Sequence, residues 1–123
     1  MIHLDTNFLI QAMVPGSAAE ERVLEWLKNG EELAVSTIAW SEFLCGPLSE
    51  EDKMLALLLL SRPEPFVAED AAKSAELFNQ TGRRSRTLAD CQIAAVAMRV
   101  GAMICTTNGI DFNRFVQFGA KLA

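Results

Sequence analysis

Two acidic residues each follow a short apolar run that is typical of a buried strand. Asp5 directly follows residues 2–4, and Asp111 lies five residues beyond Thr106, which follows the apolar run 103–105. In an open parallel sheet, ligands bind in the crevice beyond the carboxyl ends of the strands. We therefore expect both carboxylates at that edge of a sheet.

Two further acids, Glu42 and Asp90, lie in predicted helices that begin at the same edge. Glu42 is about one turn inside a helix predicted over 38–45, among small and apolar neighbours, where an unpaired carboxylate is costly and tends to mark a function. Helical side chains lean towards the N-terminus, which directs Glu42 to the edge. Asp90 falls in the first turn of a helix predicted from Thr87 to Gly101. All four acids are therefore predicted to converge.

Four converging carboxylates favour a bound cation, because their mutual repulsion otherwise raises their pKa values. Oxygen ligands without histidine or cysteine select Mg²⁺ or Mn²⁺ over Zn²⁺. Such an ion activates water and neutralises charge on a phosphate in transit, so a phosphodiester is the natural substrate. Four polar residues could orient the carboxylates or the waters of the ion: Thr6, Asn7, Thr106 and Asn108.

Each acid also has an ordinary structural explanation. Thr87-x-x-Asp90 has the form of a helix capping box, Asp111 lies in turn-forming sequence, and Asp5 could be simple strand-end polarity. Independent accidents that place four acids on one edge are less probable than any one of them alone. The metal-site interpretation is therefore preferred.

The elements that must position these residues alternate between strand and helix. Apolar runs bounded by turn residues predict strands at 2–4, 33–35, 66–67, 103–105 and 116–118, with 66–67 confined to a sheet edge by flanking prolines. Capping signals and helical spacing predict the intervening helices, including those capped by Ser17, by Ser36 or Thr37, and by Ser49. This alternation implies an α/β fold: a three-layer α/β/α domain with a parallel sheet of four to five strands.

Composition is consistent with one domain over residues 1–123, since half of the chain is hydrophobic and no low-complexity stretch occurs. The longest apolar run, 54–60, is far shorter than the roughly 20 residues of a membrane crossing, and no cationic signal-peptide head is present. We expect a cytoplasmic protein without a membrane anchor. The three cysteines, Cys45, Cys91 and Cys105, are predicted to be core thiols, since they are odd in number and lack C-x-x-C spacing.

The lone histidine and the net charge limit the possible functions. His3 cannot form a histidine metal cluster alone, and we expect a structural role with a backbone partner. A net charge of -5 argues against nucleic acid, but it falls to -1 when the four site acids are left out. Arg83, Arg84 and Arg86 are candidates for holding RNA phosphates, with a solvated loop as the alternative.

The order of these motifs resembles the PIN-domain ribonucleases, particularly the small VapC-type toxins. The resemblance lies in Asp5-Thr6-Asn7, Glu42, Leu88-Ala89-Asp90 and Thr106-x-Asn108-x-x-Asp111-Phe112. It implies a three-layer α/β/α domain, Mg²⁺- or Mn²⁺-dependent cleavage of RNA, a homodimer and, for toxins, a cognate antitoxin protein. Carried over by position, Asp5, Glu42, Asp90 and Asp111 look like the acidic quartet, supported by Thr106 and Asn108.

The sequence therefore predicts a metal-dependent endoribonuclease that cleaves single-stranded or looped RNA, with two alternatives. One is a non-catalytic PIN-like module that binds RNA or protein. The other is an Asp-nucleophile phosphatase, although Asn7 stands where that class has its second aspartate. We also expect the apolar outer face of the helix with Trp40 and Leu44, together with helix 54–60, to form a dimer or antitoxin surface.

Overall fold

A four-stranded parallel sheet forms the centre of the computed structural model, which describes residues 1–123. The strand order is β2-β1-β3-β4. Leu4 lies opposite Cys105, so β1 and β3 end side by side, and the residues that follow them meet at one edge of the sheet. The strands are β1 (Ile2–Leu4), β2 (Leu33–Ala34), β3 (Met103–Cys105) and β4 (Lys121–Leu122).

Seven helices flank the sheet and complete a three-layer α/β/α fold, which confirms the predicted fold class. The helix α5 packs along α6, while α1 packs against α2 and α3. None of them combines the length and the apolar character that crossing a membrane would require. The helices are α1 (Thr6–Ala12), α2 (Ala18–Lys28), α3 (Thr37–Cys45), α4 (Glu50–Leu59), α5 (Ala68–Gln80), α6 (Leu88–Arg99) and α7 (Gly109–Asn113).

Serine caps fix the starts of three helices as the sequence predicted. The hydroxyls of Ser17, Ser36 and Ser49 each accept a hydrogen bond from the backbone N–H three residues later, at 3.1 Å. Each cap satisfies one of the free N–H groups of a first helical turn. The cap at Ser36 also sets the start of α3, which carries Glu42.

The core lies between the sheet and the alanine-rich helix α6. Residues 93–97 of α6 are all buried, and the three alanines among them, at 94, 95 and 97, let the helix pack closely against its neighbours. Cys91 and Cys105 are buried as predicted, but Cys45 at the end of α3 is exposed, so the prediction of a core thiol is wrong there.

Two predicted strands are wrong. Residues 66–67 pair with no strand; the chain before them makes only an isolated bridge between Ser36 and Glu64, since the flanking prolines cannot donate to a longer ladder. Residues 116–118 form a 3₁₀ turn, and β4 begins only after Gly119, whose φ of 108° reverses the chain. A short apolar run does not distinguish strand from helix by periodicity alone.

His3 lies in β1 without the backbone partner that the sequence predicted. Its side chain is buried, and neither ring nitrogen has a hydrogen-bond partner. Burial, which disfavours the charged ring, lowers the pKa of His3 to about 4. His3 is therefore neutral at pH 7 and serves as a core residue.

Candidate active site

Asp5 is held at the carboxyl edge of the sheet by both of its oxygens. As the N-cap of α1 it accepts a hydrogen bond from Phe8 N–H at 2.8 Å through Oδ1, and the Thr106 hydroxyl donates to Oδ2. Burial raises the pKa of Asp5, the hydrogen bonds from Thr106 and Phe8 oppose that rise, and the charge of Glu42 adds to it. Asp5 is thus an almost fully buried carboxylate fixed between β1 and β3.

Glu42 reaches the same edge but is exposed. Its Oε1 accepts a hydrogen bond from the Thr6 hydroxyl at 2.8 Å. The prediction that Glu42 is an unpaired carboxylate on an apolar face is therefore wrong. The buried side of α3 bears Ala39 and Phe43, and Glu42 faces solvent. The placement of Thr6 beside Glu42 agrees with its predicted role of orienting a carboxylate.

The pKa of Asp90 indicates that the other three acids lie within electrostatic range of it. Asp90 lies in the first turn of α6, where burial and, after it, the charges of Asp5, Asp111 and Glu42 together raise its pKa to about 6, against the opposing charge of Arg114. The capping-box alternative is wrong, because the Thr87 hydroxyl donates to the Arg84 carbonyl at 2.8 Å and makes no cap. No hydrogen bond fixes the Asp90 carboxylate.

Asp111 lies in the short helix α7 rather than in the expected loop. Its Oδ2 accepts a hydrogen bond from the Asn108 side-chain amide, and Asn108 N–H donates to the Thr106 hydroxyl at 2.8 Å. Asn108 and Thr106 therefore link the carboxylate of Asp111 to that of Asp5. Both polar residues lie where the sequence predicted supporting groups.

Asn7 is the predicted supporting residue whose side chain is not hydrogen-bonded to any of the acids. It lies exposed in the first turn of α1, and its side chain makes no hydrogen bond. Its predicted contact with the ion's waters stays a prediction.

The predicted arginines Arg83, Arg84 and Arg86 are exposed in the segment that leads from α5 into α6. Arg83 donates to the Asn79 side chain and stacks over Phe78, with 5.8 Å between the guanidinium carbon and the ring centroid. These arginines lie just before the helix that bears Asp90, so a role in phosphate binding stays a prediction.

Sequence reasoning missed Arg114, the cation that acts on the acids. Its charge lowers the pKa of Asp90, and its Nε donates to the Asp111 carbonyl at 2.8 Å. The only available signal was its position one helical turn after Asp111, and exposed arginines are too common for that spacing to be specific. The tertiary structure was needed to find it.

The donor chemistry of the acidic cluster fits Mg²⁺ or Mn²⁺. Its side chains supply carboxylate, hydroxyl and amide oxygens, which are the ligands of hard cations. No three acidic, histidine or cysteine side chains are already arranged around one ion position. A small ion needs only one or two carboxylates, since Mg²⁺ keeps several waters. The carboxylate of Asp90, free of hydrogen bonds, is able to turn towards such an ion.

The comparisons with known proteins agree with this geometry. The family model of the PIN domain matches residues 2–117, a segment that contains all four acids. Among solved structures, the chain is similar to VapBC2 from Rickettsia felis bound to a DNA fragment from their promoter, at 24% identity and a TM-score of 0.76 over 100% of this chain and 98% of that chain. It is also similar to FitAcB from Neisseria gonorrhoeae, at 26% identity and a TM-score of 0.71 over 100% and 97%. A toxin-antitoxin complex from Klebsiella pneumoniae matches at 25% identity and a TM-score of 0.74 over 91% and 90%.

Proposed function

Because this chain belongs to the PIN domain family, we propose that it is a divalent-metal-dependent endoribonuclease and the toxin of a toxin-antitoxin pair. The observation that carries the proposal is that Asp5, Asp111 and Glu42 lie near enough to Asp90 for their charges to add to the effect of burial, and together these raise the pKa of Asp90 to about 6. A folded protein gains no stability from such repulsion, so a cation and a phosphate substrate are its natural explanation.

Each residue of the site would have a separate role in binding the ion or in orienting its ligands. Asp5 and Asp90 would hold Mg²⁺ or Mn²⁺ from β1 and α6, with Asp111 and Glu42 completing the negative field. Thr106 fixes the Asp5 carboxylate, Asn108 fixes Asp111 and Thr6 fixes Glu42, so these contacts set the spacing of the oxygens. When bound, the ion lowers the pKa of water at the site and offsets charge on the phosphate. Attack by water leaves a 5′-phosphate and a 3′-hydroxyl.

The substrate class follows from the position of the site. The acids lie at a partly exposed edge of the sheet, where an extended RNA strand has access, and Arg83, Arg84 and Arg86 would contact its phosphates from the segment before α6. We propose single-stranded or looped RNA, since its backbone can be laid across an open edge.

Metal dependence is the direct test of the activity. We expect the purified chain to cleave an end-labelled single-stranded RNA in Mn²⁺ or Mg²⁺, to lose the activity in excess chelator, and to regain it when Mn²⁺ is restored. The products should be ligatable fragments with a 5′-phosphate. Cleavage that persists equally in chelator, or fragments that end in a cyclic phosphate, would contradict the proposal.

The two alternative functions make different predictions in the same assay. A non-catalytic module would bind RNA with no divalent-ion affinity and no cleavage. A phosphatase would release phosphate from a small phosphomonoester, but Asn7 is exposed where that chemistry needs a second aspartate. Neither alternative explains why three other carboxylates lie near enough to Asp90 to raise its pKa.

We further propose that the chain is a homodimer and binds a cognate antitoxin protein. The sequence predicted an apolar surface on α3 and α4: Leu44, Met54, Leu57 and Leu58 are exposed there, with Leu58 80% exposed, whereas Trp40 is half-buried against the core. An adjoining groove between α1 and α3 is lined by apolar side chains that include Ile10, Val14 and Phe43. Large exposed apolar patches mark protein interfaces.

Sedimentation velocity of the purified chain tests the dimer. We expect a species of twice the chain mass at micromolar concentration, which Leu58→Asp converts to a monomer, because a charge at the most exposed leucine cannot be buried between two copies. If the unaltered chain sediments as a monomer over the same concentration range, the proposed homodimer is contradicted.

A further inference from the structure

Arg114 directly follows α7 and contacts the main chain of the segment that bears Asp111. Its Nε donates to the Asp111 main-chain carbonyl at 2.8 Å, and its guanidinium carbon lies 5.5 Å from the centroid of the Phe115 ring. Its positive charge also acts on Asp90 and on Cys91 in the first turn of α6. A single side chain thus contacts one acidic segment and lies within electrostatic range of the other.

The terminal nitrogens of Arg114 are closed off from solvent. Nη1 and Nη2 are buried and have no hydrogen-bond partner, and no carboxylate lies within ion-pair distance of them. Buried charged donors without partners are costly. The negative field of the neighbouring acids is the available compensation, and guanidinium tolerates this position better than ammonium because it is more weakly hydrated.

This burial distinguishes Arg114 from the arginines at 83, 84 and 86. Those side chains are exposed and can contact an RNA phosphate, whereas the terminal nitrogens of Arg114 are buried and its guanidinium lies over the Phe115 ring. A direct contact with RNA is therefore the weaker explanation of Arg114.

The short helix α7 needs an anchor of this kind. It spans only Gly109–Asn113, a little over one turn, and its N-cap residue Asn108 makes no side-chain cap. So short a helix is marginal on its own, and side-chain hydrogen bonds at both of its ends add to its stability. Asn108 holds the carboxylate of Asp111, and Arg114 holds its main chain.

We propose that Arg114 is a positioning residue for the acidic site, which fixes the main chain of α7 at Asp111 and thereby the placement of the Asp111 carboxylate. The proposal rests on the proposed function, since it takes these acids to be the metal ligands. The feature of Arg114 that the site needs is its hydrogen bond to the Asp111 carbonyl, and not its positive charge.

Three substitutions separate the hydrogen bond from the charge. In Arg114→Gln the amide nitrogen takes the position of Nε, so the bond to the Asp111 carbonyl is retained without the charge. Arg114→Met fills the same length of side chain without a donor, and Arg114→Lys keeps the charge without a donor at that position. Arg62→Met is the matched control, since Arg62 is exposed and makes no side-chain contact of this kind.

We expect Arg114→Met to weaken Mn²⁺ binding about 10- to 100-fold in calorimetry and to lower kcat with little change in KM, the range found when groups that orient metal ligands are removed. Arg114→Gln should lose much less, Arg114→Lys should lie below Arg114→Gln, and Arg62→Met should bind Mn²⁺ as the unaltered chain does. Metal-free hydrogen exchange should show faster exchange at residues 109–113 in Arg114→Met than in Arg114→Gln.

The sign of the effect makes the test decisive. If Arg114 acted only through its charge, its removal would tighten Mn²⁺ binding, because a positive charge repels a cation. Equal or tighter binding by Arg114→Met, or equal losses in Arg114→Gln and Arg114→Met, would overturn the proposal. Should Arg114→Met fail to fold, the order of Arg114→Gln and Arg114→Lys decides it. An unaltered chain that neither binds Mn²⁺ nor cleaves RNA would instead refute the proposed function, while the exchange measurement would still test the anchor.

Discussion

Replacing Asp90 by asparagine should lower kcat/KM for RNA cleavage by at least about a hundredfold, while the protein remains folded. Loss of a metal-binding carboxylate should exceed the effect of losing a group that only orients one, which is about 10- to 100-fold. Asparagine has the same shape, and no hydrogen bond to the Asp90 carboxylate is lost. The measurement is cleavage of a labelled RNA in Mn²⁺ under saturating and subsaturating substrate.

The matched control is Asp52→Asn on α4, which removes one carboxylate outside the acidic cluster. It should cleave RNA as the unaltered chain does. Equal activity in Asp90→Asn and the unaltered chain would exclude Asp90 from the reaction, and equal losses in both variants would attribute the effect to net charge alone.

Stability gives an independent readout of the same substitution. The pKa of Asp90 is about 6 in the folded chain, above its ordinary value of 3.8, so the folded state binds this proton more readily and the chain loses stability as pH rises from about 4 to 6. Asparagine does not titrate. Asp90→Asn should therefore be more stable than the unaltered chain at pH 7, by about 1 kcal/mol after allowance for partial solvent exposure, and equally stable below pH 4.

Replacing Arg99 by methionine should destabilise the fold by about 3 kcal/mol, because it leaves the buried carboxylate of Asp70 without its cation. Asp70 is 1% exposed, and its Oδ1 accepts from Arg99 Nε at 2.9 Å. The same guanidinium donates through Nη2 to Glu64 and to the Pro65 carbonyl, at 3.1 and 2.9 Å. Arg99, at the end of α6, thus contacts both the first turn of α5 and the segment that precedes α5. Urea unfolding followed by tryptophan fluorescence measures the loss.

A second substitution identifies the cause. In the Arg99→Met background, Asp70→Asn should recover part of the lost stability, because a neutral amide is buried at less cost and still accepts from Val67 N–H. Lys73→Met is the control, since the Lys73–Glu76 pair is exposed at 3.6 Å and should contribute less than about 1 kcal/mol. A loss of under 1 kcal/mol in Arg99→Met, or no recovery in the double variant, would show that the pair is not coupled in this way.

The sequence alone predicted the membership of the PIN domain family and the fold class, and both are confirmed. Local signals carried these predictions. Serine caps fix helix starts within one turn, and short apolar runs bounded by turn residues mark β1 and β3. The edge position of Asp5 and Asp111 was predictable because residues that follow parallel strands lie at the carboxyl edge of the sheet.

Other features depended on contacts between residues far apart in the chain. The Thr6 partner and exposure of Glu42, the missing partner of His3 and the 3₁₀ turn at Val116–Phe118 are all set by neighbouring layers. A helical wheel describes neighbours along one helix and does not describe what packs beside it. The sequence therefore determined which acids face a common edge, since direction and periodicity are local properties of the backbone. Only the tertiary structure decided that Thr106 holds Asp5 and that Thr6 holds Glu42, since these hydrogen bonds depend on which segments pack together.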